Sequence, residues 1–118
     1  MKNLITRTAG SLAIGLLLAS SAFAAGMLTD SSSGRTLYVF DKDAPGVSNC
    51  DVECIKTWVP YAGQDDSQQG DKWTTITRTD GIKQRAYDGR PLYFFVDDKM
   101  KGDMKGDYPT GEWHVVPM

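Results

Sequence analysis

Apolar residues are spread along this chain in two ways. Near the N-terminus they form one run, residues 9–18 (Ala-Gly-Ser-Leu-Ala-Ile-Gly-Leu-Leu-Leu). Beyond it they come in short runs separated by Gly, Pro, Asp and Ser. Residues 36–40 (Thr-Leu-Tyr-Val-Phe) and 92–96 (Leu-Tyr-Phe-Phe-Val) are apolar on both parities, which predicts strands covered on both faces. Residues 73–77 and 82–87 predict a hairpin around Thr79-Asp80-Gly81, with Asp-Gly supplying the positive φ angles. Asp88-Gly89 predicts another turn, and residues 113–116 a last strand. Ser48-Asn49 predicts the N-cap of a short helix, with Asp51 and Glu53 in its first turn. Cys50, Cys54, Ile55 and Trp58 would share one face of it, and Pro60 would end it. Residues 41–49, 62–72 and 97–111 read as loops. The expected fold is mostly β, an antiparallel small sandwich or partly closed barrel with one short helix.

The N-terminal run has the form of a signal peptide. Lys2 and Arg7 precede it, and Ala22-Phe23-Ala24 follows as a small-residue cleavage site. The run is short of the roughly 20 residues that a spanning helix needs. Residues 1–24 therefore read as a signal peptide, and residues 25–118 as a single domain. No Cys lies at the junction, so no lipid anchor is expected there. The mature protein is expected to be soluble, periplasmic or secreted, with no transmembrane segment. Losing Lys2 and Arg7 takes the net charge from −2 to −4. An acidic domain lacks the basic surface that nucleic acid requires.

A duplication runs through the mature chain. Gly34, Arg35, Leu37, Tyr38, Phe40, Asp43 and Trp58 recur 55 residues later as Gly89, Arg90, Leu92, Tyr93, Phe95, Asp98 and Trp113. Tyr and Phe two apart share a strand face. The Trp fifteen residues after Asp43 or Asp98 can fold back on that face. Each Asp would hold backbone amides in the loop that follows its strand. If the halves pair about a pseudo-twofold axis, the loops after Asp43 and Asp98 come near each other. Both copies fit Y-x-[FWY]-x-x-D, and the chain resembles the secreted-repeat family of predicted bacterial lipoproteins that this motif defines. The resemblance implies a fold and an exported address; it carries no activity.

Candidate chemistry lies where the halves differ. Two cysteines four apart in an exported protein favour a Cys50–Cys54 disulfide. The alternative is a thiol-redox or copper-binding pair. Met100, Met104 and His114 would then add the thioether and imidazole donors that suit copper. His114, the one histidine, is expected to face solvent from the last strand. No G-x-S-x-G, H-E-x-x-H or P-loop pattern is present. The expectation is a non-enzymatic binding or structural module without a cofactor, whose partner is an envelope component or a small ligand.

Overall fold

The structure, a computed structural model, describes residues 26–63, 70–108 and 110–117. The expected signal peptide, residues 1–24, and part of the 62–72 loop lie outside them. Strands are β1 (Tyr38–Phe40), β2 (Trp58–Pro60), β3 (Trp73–Thr77), β4 (Lys83–Tyr87), β5 (Arg90–Pro91), β6 (Tyr93–Phe95) and β7 (Trp113–Val115). They form two antiparallel sheets, one ordered β2-β6-β1-β7 and the other β3-β4-β5. Neither sheet closes into a barrel.

The four-stranded sheet is built about a local twofold. Its central strands meet antiparallel with Tyr38 opposite Tyr93, the same residue of each half. On the flanks, Phe40 pairs with Trp113 and Phe95 with Trp58. The backbone repeats the relation. Asp41 N–H donates to the Glu112 carbonyl at 2.8 Å, and Val96 N–H to the Thr57 carbonyl at 3.0 Å. The equivalence extends upstream with a changed step. Leu28 N–H bonds the Val116 carbonyl as Arg85 N–H bonds that of Tyr61. Leu28 and Arg85 are 57 apart, so the turn before β1 is two residues longer than its counterpart.

Alternation gives the sheet two unlike faces. Leu37, Val39 and Leu92 point to one side and join Leu28, Tyr61 and Val116 in the core, with Trp73, Tyr87 and Phe94 packed against it. Trp73 and Tyr87 come from the second sheet, so this core binds the sheets together. Each aliphatic side chain taken fully from water there contributes about 1.5–3 kcal/mol. Tyr38 and Tyr93 point the other way, into an aromatic layer, and are fully buried.

Several local expectations need correction. The short helix is only a 3-10 turn, Cys54–Lys56. Its N-cap is Glu53, which makes no side-chain capping bond; Asp51 just before it accepts at Oδ1 from the N–H groups of Glu53 (3.2 Å) and Cys54 (3.0 Å). Trp58 and Pro60 belong to a strand, because β6 offers an open edge that captures the segment. Positive φ occurs at both residues of Asp88-Gly89 (54° and 80°), the signature of a tight hairpin, here linking β4 and β5. At Asp80-Gly81 only the glycine adopts it. The run 92–96 is shortened to β6, because the chain changes sheets at Leu92.

Candidate functional site

The repeated motif builds a reciprocal clasp. Tyr38 donates its hydroxyl to Asp98 Oδ2 at 2.7 Å, and Tyr93 donates to Asp43 Oδ2 at 2.7 Å. Each tyrosine thus binds the aspartate of the other half. The second oxygen of each aspartate holds its own loop: Asp43 Oδ1 accepts from Asn49 N–H at 2.6 Å, and Asp98 Oδ1 from Lys105 N–H at 2.9 Å. The expected loop-holding role is therefore half of what these carboxylates do. Burial, reinforced by the aspartate bonds, pushes both phenols above their ordinary value, so they stay protonated. Burial also raises Asp43, against the opposing bonds from Asn49 and Tyr93.

Over the clasp lies a ladder of rings. Trp58 stacks on Trp113 with centroids 3.9 Å apart and planes 2° from parallel. Phe40 continues the stack beyond Trp113 at 4.3 Å, and Phe95 lies beyond Trp58 at 4.5 Å. Tyr38 and Tyr93 meet Trp58 and Trp113 edge-on at 5.2 and 4.9 Å. Gly106 closes the layer from the loop after Asp98. A Cβ there would fall 2.5 Å from a Trp58 ring carbon.

The halves complete the clasp differently. Gly106 N–H donates to the Tyr38 hydroxyl at 3.2 Å. On the other side Ser48 takes that place and bonds the Tyr93 hydroxyl. Arg78, buried, donates to Ser48 Oγ at 2.7 Å and to the Cys50 carbonyl at 2.6 Å, and pairs with Asp80 at 3.0 Å. The sequence assigned Ser48 to a helix N-cap rather than to the clasp, and gave no sign of Arg78, which lies neither on a periodic face nor in the duplicated pattern. Asp30 to Gly34 reads as a turn in the sequence, but the sequence did not show that Asp30 accepts from Tyr61 as well as from Ser32 and Ser33.

Cys50 and Cys54 are joined in a disulfide, with Cα atoms 5.2 Å apart, so neither offers a thiolate. His114 is half-buried rather than facing solvent, because Asp41 draws its Nε2 to 2.9 Å. Met100 and Met104 are exposed on the loop after Asp98. No group of three or more His, Cys, Asp or Glu converges as a metal cage among the described residues. No helix there is long and apolar enough to cross a membrane.

A cleft of about 210 Å³ opens beside the clasp, lined by Phe40, Asp43, Pro45, Asp88, Gly89 and Arg90 among others. It sits where the Gly89-Arg90 turn meets the loop after Asp43, and Gly46 N–H donates to the Gly89 carbonyl at 2.8 Å. The two arginines of the repeat are in different states. Arg35 donates to the Phe95 carbonyl at 3.0 Å and lies 4.2 Å over the Phe94 ring. Arg90 is exposed and has no hydrogen bond or ion pair from its side chain among the described residues. Its strand neighbour in place of Phe94 is Val39, which offers no ring to stack on.

No curated protein and no solved structure matches the chain. The family described as a secreted repeat of unknown function matches it twice, over residues 26–62 and 74–117. The two matches divide the chain as the clasp does, each carrying one Tyr, one Asp and one Trp of the aromatic layer. Together they cover most of the chain, which therefore belongs to this family of secreted repeats.

Proposed function

We propose that the chain is an exported module that binds rather than catalyses, and that the cleft between the Gly89-Arg90 turn and the loop after Asp43 is its binding surface. The carrying observation is the contrast between Arg35, folded onto Phe94 and Phe95 of the other half, and Arg90, left without a partner at the cleft rim among the described residues. The phenols, the cysteines and the histidine are engaged. The phenols of Tyr38 and Tyr93 are tied to carboxylates, the cysteines to each other, and His114 to Asp41. A charged group at the rim of a part-apolar concavity is what small-ligand sites share.

The test is a titration of the isotopically labelled mature protein with soluble envelope fragments and small organic ions, read by amide shifts. Saturable shifts confined to Val39, Phe40, Gly89 and Arg90 support the reading. Shifts centred on the opposite face, or product formation from any of the fragments, contradict it.

A further inference from the structure

The cleft's own counterpart in the other half shows what chemistry would fill it. There the turn glycine is Gly34, and the side chain of Lys101 lies across it: a Cβ on Gly34 would meet Lys101 Cγ at 2.7 Å and Cδ at 2.9 Å. Gly102 follows Lys101 with φ 90°, as Gly46 follows Pro45 with φ 71°. The loop after Asp98 is one residue longer up to this glycine, so Pro45 takes the place of Lys101 at a step of 56 rather than 55. Its Cβ stands 3.9 Å from the corresponding point on Gly89, and its ring stops where the lysine chain continues. Val39 also replaces the Phe94 ring, so the floor is lower. Val39 and Pro45 line the cleft, while the concavity at the other corner is lined by Arg35, Val59, Val96, Asp98 and Lys99.

Charge has changed in the same direction. The corner with Gly34 carries Arg35, Lys99 and Lys101 against Asp98. The corner with Gly89 carries Arg90 against Asp43 and Asp88, and Asp88 stands where the other half has the neutral Ser33. Asp88 is exposed, and its carboxylate has no hydrogen bond or ion pair among the described residues. The first corner has a lysine chain beside its arginine; the second has its arginine alone and an extra carboxylate.

We infer that the cleft binds a primary alkylammonium chain, the chemistry of a lysine side chain or a free diamine, with the methylenes over Gly89 and Pro45 and the ammonium toward Asp88. This rests on the cleft being a binding surface at all.

The experiment follows amide shifts of the mature protein with three probes: 1,5-diaminopentane, an end-capped Gly-Lys-Gly peptide and sodium pentanoate. The expected result is saturable binding of the amines at Val39, Gly89 and Arg90, and none of pentanoate. Tighter binding of the peptide identifies a polypeptide source, and tighter binding of the diamine a small-molecule one. Asp88→Asn, whose new residue tolerates the positive φ of 54°, should weaken amine binding by about two- to fivefold, the usual range for one exposed ion pair. Pro45→Lys should fill the cleft from within and abolish binding while the fold, checked by its melting temperature, is kept. Pentanoate binding in place of the amines would overturn the alkylammonium assignment and leave the binding surface standing. Silence at the cleft with all three probes would remove both. Undiminished amine binding in folded Pro45→Lys, or in Asp88→Asn, would place the amine elsewhere.

Discussion

The Tyr38 hydroxyl lies 2.7 Å from Asp98 Oδ2, and the two residues come from different halves of a duplicated chain. The sequence motif reads as Tyr, Phe and Asp of one segment. In space each tyrosine is completed by the aspartate 60 or 50 residues away. The motif is therefore half of a clasp, and two copies are needed to close it. A single repeat would leave a phenol and a carboxylate without their partners, and unpaired polar groups are costly to bury.

Trp58 and Trp113 are the centre of the layer above that clasp. Trp58→Ala removes contacts to Trp113, Tyr38 and Phe95 together. The expected loss is about 3 kcal/mol by urea unfolding, the lower end for large aromatic truncations because Trp58 is only part-buried. Parallel indoles in contact also couple optically. Trp58→Phe should abolish an exciton couplet in the circular dichroism spectrum; a spectrum that keeps it would contradict the stack.

Gly106 separates a contact effect from a backbone effect. A methyl group there would press on the Trp58 ring, so Gly106→Ala should cost about 1–3 kcal/mol through overpacking. Gly46→Ala meets nothing within 4 Å, and its cost is that of a positive φ, about 1–2 kcal/mol. Trp58→Ala should relieve the first substitution and leave the second unchanged. Relief of both, or of neither, would contradict the placement of Gly106.

Much of this was legible because duplication makes a pattern visible that no single strand shows. The strand 73–77, a last strand read as 113–116 and found over 113–115, the buried parity of 36–40 and the cysteine pair follow from residue types alone. What the sequence hid was relation between segments. Nothing in Tyr38 says that its partner is Asp98 rather than Asp43, because spacing within a repeat is silent about pairing between repeats. Trp58-Val59-Pro60 looked like a helix end, since its strand character comes from the edge of β6. Arg78 sits beside a turn and gave no sign that its guanidinium would be buried against Ser48 and Cys50.

Asp30 should contribute a change of stability with pH. Burial pushes its carboxyl up, but the bonds from Ser33, Tyr61 and Ser32 together hold it below the ordinary 3.8. A depressed folded-state value stabilises the protein above the unfolded value and loses that contribution as pH falls through the folded one. Asp43 is raised by burial and acts in the opposite sense, favouring the fold below 3.8 and losing that as pH rises. Between pH 7 and pH 3 the native protein should therefore lose more stability than Asp30→Asn and less than Asp43→Asn. Equal losses in all three would contradict these environments.

The disulfide closes a very short loop, so its removal should be mild. Cys50→Ser/Cys54→Ser is expected to cost about 2 kcal/mol and to leave the far-ultraviolet spectrum unchanged. Complete unfolding at room temperature would mean that the loop carrying Cys50 holds Arg78 and Ser48 in place more strongly than the clasp itself.

The central claim is that the two halves are locked by exchange of tyrosine and aspartate, and a double-mutant cycle tests it most directly. Tyr38→Phe and Asp98→Ala are measured singly and together by urea unfolding, beside the same-half pair Tyr38→Phe and Asp43→Ala. A coupling of about 1 kcal/mol or more between Tyr38 and Asp98, with near-additive effects for Tyr38 and Asp43, is the predicted result. Coupling within the half and additivity across it would contradict the clasp.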